Sequence, residues 1–244
     1  MTCPARAIPR LFVFVAVLCV ACKPAPAPSK PGKPSAGPMV RATVVTIRTS
    51  IQPGSRTLTH TIVILGDRAR STAEFDTWRL FDTKAKTVTF VDDVERTIRT
   101  ESLESIAKRR RDATSEPLPS HYRSARLLRE NETRSMQGVT AKLSVVEAGA
   151  YQRQLWFAEH SAIPPGLFAM MTVADPPSSP LAPMMRPVDD ALAKEQGFPL
   201  LEHTEIPYGQ TKMVIDRVVT SIAQRDVPQA TITIPNGYRN LTKN

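Results

Sequence analysis

The chain has 244 residues, with 32 Lys and Arg against 23 Asp and Glu, a formal net charge of +9, 22 prolines and three cysteines. That length suits one ordinary-to-large domain or two small ones. The cysteines are Cys3, Cys19 and Cys22, so residues 23–244 hold no disulfide, no thiolate metal site and no thiol catalyst.

The first element is an address. Arg6 and Arg10 precede an apolar run over residues 11–21, which ends at Cys22 and is followed by Lys-Pro-Ala-Pro-Ala-Pro. A short positive region, a brief apolar core and small residues before a cut read as a secretory signal. The run is too short for the roughly 20 apolar residues that cross a bilayer. Residues 23–38 carry six prolines, which favours an extended polyproline II spacer of about 3.1 Å per residue. The expected organisation is therefore a signal at 1–21, a cysteine and linker at 22–38, and one folded domain at 39–244. Outside the cytoplasm, the basic balance points to anionic lipid headgroups or other envelope polyanions rather than nucleic acid; the competing reading is a solvated surface that happens to be basic.

Residues 40–49, 57–64, 68–73, 78–82, 87–91 and 97–101 are rich in Val, Ile and Thr and are separated by short polar turns. Such spacing predicts an antiparallel meander with one buried face. In the second strand Leu58, Ile62 and Ile64 share a face with His60. Ser102 is placed to cap a helix to about Arg111, with Glu104 near its start and Lys108, Arg109, Arg110 and Arg111 at its end, both favourable to the helix dipole. Three further strands are expected over 125–136, 138–147 and 151–160, the last containing Leu155, Trp156 and Phe157. A short apolar helix over 166–173 and a second over 184–195 flank a proline-rich loop. Strands over 200–206 and 212–223 close the chain; the latter also fits helical spacing, and its β-branched content favours strand.

Two resemblances follow from particular residues. Cys19-Val20-Ala21-Cys22 resembles the lipobox of bacterial lipoproteins, with Cys19 where leucine is usual. It implies palmitate and related acyl groups on Cys22, a membrane anchor, and a periplasm-facing position, with the outer membrane mildly preferred. An ordinary secretory signal cut near Ala21 is the alternative. Further on, 64–70 (Ile-Leu-Gly-Asp-Arg-Ala-Arg), 80–82, 86–92, 137–141 with 154–157, and Val227-Pro228 with 232–238 together resemble a family of bacterial envelope domains of unknown function related to the LolA/LolB-like lipoprotein carriers. The resemblance implies a mainly β fold: a curved antiparallel sheet forming an incomplete barrel plugged by short helices, with an apolar space between them.

Phosphate loops, dinucleotide glycine patterns, nucleophile elbows and zinc-protease motifs are absent from the sequence. His60, His121, His160 and His203 have no ligand-like spacing, Asp92-Asp93 reads as a hairpin turn, and Asp189-Asp190 as an exposed helix face. No catalytic residue, metal ligand or cofactor is expected. The candidate ligand-lining residues are Trp156, Leu167, Phe168, Met170, Met171, Met184 and Met185, since methionine suits an adaptable apolar site. Lys108, Arg109, Arg110 and Arg111 are candidates for contact with an anionic surface. The expected function is a non-catalytic envelope protein that binds an apolar or amphipathic ligand; the alternative is an adaptor with a packed core that docks an envelope partner through its basic surface.

Overall fold

β-Branched and aromatic residues, punctuated by polar turns, build twelve strands among the described residues. A computed structural model describes residues 37–72, 77–112, 124–174, 182–208 and 210–242, with the side chains of 182–185 and 208 excepted. The expected signal, Cys22 and nearly all of the linker lie outside the described residues. The strands are β1 (Met39–Gln52), β2 (Arg56–Leu65), β3 (Arg68–Thr72), β4 (Thr77–Asp82), β5 (Thr87–Asp92) and β6 (Thr97–Ser102), then β7 (Arg126–Met136), β8 (Val139–Ala148) and β9 (Tyr151–Ala158), and finally β10 (Phe198–Tyr208), β11 (Thr211–Pro228) and β12 (Arg239–Asn240). Helix α1 (Leu103–Asp112) follows β6, while α2 (Leu167–Ala174) and α3 (Ala182–Leu192) intervene between β9 and β10.

All twelve strands form one sheet in the order β12-β6-β5-β4-β3-β2-β1-β11-β10-β9-β8-β7. It is curved and not closed into a barrel, as the sequence led us to expect. Two antiparallel meanders, β1 to β6 and β7 to β11, are joined along β1 and β11. Only β12 is parallel to its neighbour, β6. Local chemistry sets the turns. Asp82 accepts the Ala85 amide at 2.8 Å, and Asp92 accepts the amides of Val94 and Glu95 at 3.0 and 2.8 Å. The Ser102 hydroxyl accepts the Ser105 amide at 3.1 Å, satisfying one of the open donors at the start of α1.

Pairing registers show which side chains share a face. Val45, Ile47, Ile62, Ile64, Ala69, Phe81 and Val88 point inward, toward the helices, and join Ile106, Leu167, Phe168, Met170, Val188 and Leu192 in the main core. Ala42, Val44, Val63, Trp78, Leu80 and Val91 form a second core on the outer face. The C-terminal segment covers it. Ile232 is buried there, Arg70 donates to the Thr231 carbonyl at 2.9 Å, and the Tyr238 hydroxyl donates to Asp93 at 3.0 Å.

Three details differ from the sequence reading. β11 runs on to Pro228 because it pairs with β1 along nearly its whole length. Helix α3 spans 182–192 rather than 184–195 and includes Pro187. Finally, β12 and the turn at Gln229–Ile232 lack the length or periodicity that would mark them in sequence. At the entry to β10, Gly197 has φ +89, and a Cβ there would meet the Ala158 carbonyl oxygen at 2.5 Å. Only glycine fits this junction.

Candidate functional site: an amphipathic cavity between sheet and helices

The inner faces of β1, β2 and β9–β11 extend beyond the helices. This leaves a cavity of about 790 Å3, within the range of about 300–1,000 Å3 usual for small-molecule sites. Its sheet side presents Ile47, Ile51, Leu58, Phe198, Ile206, Ile215 and Val219; Phe168 and Met171 contribute from α2 on the other side. The Phe168 ring stands edge-on between Phe157 and Phe198, with centroids 5.2 and 6.2 Å away, so the aromatic margin of the cavity is held in place by packing.

One wall is charged. Along β9, Tyr151, Arg153, Leu155 and Phe157 alternate inward; along β10, Leu200, Glu202, Thr204 and Ile206 do the same. The Arg153 guanidinium donates to both Glu202 oxygens, Nε to Oε1 and Nη2 to Oε2, each at 3.0 Å. Glu202 also accepts the Thr204 hydroxyl at 2.9 Å and is approached by Arg217 Nη1 at 3.4 Å from both oxygens. Burial alone would raise the Glu202 carboxyl; Arg153 and Arg217 outweigh it and hold the group at about 2. Burial opposes the Arg153 charge too, and Glu202 reverses the effect, leaving its pKa above the ordinary value. This bidentate, charge-assisted pair is ionised at any pH near neutrality.

Two more groups complete the wall. Asp189, on α3, accepts Arg110 Nη2 at 2.7 Å and lies 4.0 Å from Arg153 Nη1. Arg110 also donates to the carbonyls of Thr172 and Val173 at 2.8 and 3.0 Å, so one α1 side chain ties down the last turn of α2 and reaches α3. Tyr151 is 4% exposed, and its hydroxyl has no hydrogen-bond partner within bonding geometry among the described residues. Burial pushes its phenol up to about 12, against the smaller opposing pull of Arg153, so it remains a neutral O–H donor.

Of the residues expected to line a ligand site, Phe168 and Met171 border this cavity. Leu167 and Met170 sit deeper, in the packed core. Trp156 has the opposite parity to Arg153 and Phe157, and it pairs with Leu143 and Leu201 on the outer face; it does not line the cavity. Met184 and Met185 lie outside the residues whose side chains are described. Among the four consecutive cations, Lys108, Arg109 and Arg111 are exposed, and Arg109 pairs with Glu101. Arg110 is instead drawn inward by Asp189, and Asp189 is correspondingly not on an exposed helix face, although Asp190 is. His60 lies on the inner face and lines the cavity, as its strand parity predicts. Arg153, Glu202, Arg217 and Tyr151 were not singled out from sequence. Their signal is two Arg, a Glu and a Tyr each standing on the apolar face of a strand.

Fold and cavity together define a class: an open, curved antiparallel β domain whose helix-covered face retains an amphipathic cavity. No family profile matches the chain, and no curated protein matches it. Among solved structures it is similar to PNGF-II crystallised in space group C2, at 12% identity and a TM-score of 0.47, over 84% of this chain and 31% of that one. PNGF-II in space group P21 gives 11% identity and a TM-score of 0.42, over 84% and 32%. The LolA superfamily protein NE2245 from Nitrosomonas europaea is similar at 9% identity and a TM-score of 0.29, over 80% of this chain and 90% of that one. This chain spans about a third of the length of PNGF-II.

Proposed function

We propose that this chain is a non-catalytic protein of the bacterial envelope, anchored through acyl groups on Cys22, whose β domain holds an apolar or amphipathic ligand between sheet and helices. The observation that carries the reading is the cavity itself. Its apolar sheet floor and the helix side chains Phe168 and Met171 leave a space of ligand size instead of closing on each other. Packed protein interiors tolerate few voids larger than a water molecule. An opening of this volume, in which aliphatic and aromatic side chains are interspersed with hydroxyls and with the charged groups of arginines, Asp189 and Glu202, has the size and mixed chemistry that an amphipathic ligand requires.

The test is mass spectrometry of the full chain purified from a bacterial host. Intact-mass measurement reads the covalent acyl groups, and organic extraction reads what the cavity holds. The expected result is a diacyl or triacyl mass increment that Cys22→Ala removes, together with extractable lipid near equimolar ratio. Ile215→Trp, which fills the cavity from its floor, should lower the extracted lipid about tenfold, since roughly 1.4 kcal/mol of lost binding suffices for that factor. An extract free of lipid, or undiminished loading in the Trp variant, would overturn the cavity reading. An unmodified intact mass would overturn the anchor.

A further inference from the structure

We infer that the cavity selects an anionic amphiphile, a single alkyl chain bearing a carboxylate or phosphate monoester head, with Arg217 as the group that receives the head. The inference deepens the proposed function and depends on the cavity being a ligand site.

Charge bookkeeping on the wall comes first. Four guanidinium groups line the cavity, Arg79, Arg110, Arg153 and Arg217, against two carboxylates, Asp189 and Glu202. Arg153 with Glu202 forms a closed bidentate pair at 3.0 Å, and Arg110 Nη2 donates to Asp189 Oδ2 at 2.7 Å. Arg79, on β4, approaches the Phe90 ring, its guanidinium carbon 5.9 Å from the centroid. Arg217 has no carboxylate of its own. Its bonds among the described residues are two long contacts, both from Nη1, to a Glu202 that Arg153 and Thr204 already occupy. A guanidinium carries five N–H donors, so most of those on Arg217 remain for a ligand. Its side chain is 43% exposed, toward the cavity.

Position along the sheet points the same way. Arg217 stands in register with Thr49 of β1, which faces Leu58 of β2, and two residues before it Ile215 faces Ile51. A head held at Arg217 therefore leaves its chain on Ile47, Ile51, Leu58 and Ile215. Glu202 does not repel such a head as an isolated carboxylate would, because Arg153 neutralises it at short range. Tyr151 also lines this part of the cavity, but its hydroxyl is buried beneath the surface, beside Thr204, and takes no part in receiving the head. A neutral alkane would leave the remaining donors of Arg217 unanswered; a cationic amphiphile would add a positive charge to a net positive lining.

The test is calorimetric titration of the delipidated full chain near neutral pH with four probes that share one alkyl chain: dodecanoate, dodecyl phosphate, dodecanol and dodecyltrimethylammonium. Inorganic phosphate serves as the head without the chain. The anionic probes should bind about tenfold more tightly than dodecanol, as a charge-assisted bond permits. That margin should shrink with added salt, because the arginine is partly exposed. Arg217→Gln should abolish the margin while leaving dodecanol affinity within about twofold, which also shows that the variant is folded. If dodecanol or the ammonium probe binds as tightly as dodecanoate, the anionic head is refuted while the cavity reading stands. Phosphate binding as tightly as dodecyl phosphate refutes the amphiphile in favour of a simple anion site. If no alkyl probe binds, the cavity reading falls as well.

Discussion

Removing the charge of Glu202 would leave Arg153 buried against a neutral amide, and that is where single residues matter most in this wall. Breaking a buried ion pair by deleting one partner costs about 3–5 kcal/mol, whereas replacing both partners by apolar groups of similar volume is often neutral. Glu202→Gln is therefore expected to cost about 3 kcal/mol in urea unfolding, and the double change Arg153→Met with Glu202→Leu distinctly less. The pair also sets an acid response. The Glu202 carboxyl is depressed from its ordinary 4.5 to about 2 in the folded state. Its contribution is therefore fully present above pH 4.5 and is lost as the pH falls through about 2. The wild type should lose stability across that interval, and Glu202→Gln should lack this part of the loss; equal acid sensitivity in both would contradict the assignment. Parity along residues 151–157 and 200–206 already places Arg153 and Glu202 on apolar faces. What the sequence does not carry is that β9 and β10 are neighbours with Arg153 level with Thr204, so the partnership was not legible.

At the scale of elements, the helices are held by side chains rather than by length. Helices α1, α2 and α3 span only ten, eight and eleven residues, shorter than an isolated helix needs in water. Arg110 gathers them through the carbonyls of Thr172 and Val173 and the Asp189 carboxylate. Glu195, just past α3, accepts Ser144 of β8 at 2.8 Å and Arg129 of β7 at 2.6 Å. Arg110→Ala should thus cost about 2–3 kcal/mol, the range for hydrogen bonds to charged groups. It should also speed amide exchange in α2 and α3 more than in β1 or β2; uniform acceleration would show that Arg110 does not hold the helices specifically. Composition and capping revealed the helices themselves: Ser102 caps as its position predicts, and residues 167–174 are apolar all round. Reading Lys108 to Arg111 as four equivalent surface cations failed because a helix of 3.6 residues per turn sends consecutive side chains to different sides. Arg110 is the member turned toward α2 and α3. Trp156 illustrates the same problem in a strand. With both faces of the sheet carrying buried residues, aromatic density does not distinguish inside from outside, and only parity relative to Arg153 does.

Across the whole molecule, local signals specify the strands and distant pairing joins them. Hairpins β2 to β6 and β7 to β9 follow from short turns, which is why their order could be read directly. The β1–β11 seam could not, since Arg41 and Asp226 stand 185 residues apart in sequence. Closing so long a loop is entropically costly and slows folding in proteins dominated by non-local contacts. The inner core draws Val45, Ile62 and Phe81 from the first meander and Val146, Leu155 and Leu200 from the second, so neither meander buries its apolar face alone. A polypeptide of residues 39–112 and another of residues 124–242 should each remain without a cooperative unfolding transition when expressed separately. Mixed together, they should regain one, along with the near-ultraviolet dichroism of packed Trp78 and Phe168. A cooperative transition in either piece by itself would mean that the shared core is dispensable. The seam would then be a contact between two autonomous domains, and the cavity floor, built from β1 and β2 on one side and β10 and β11 on the other, would be assembled by docking rather than by folding.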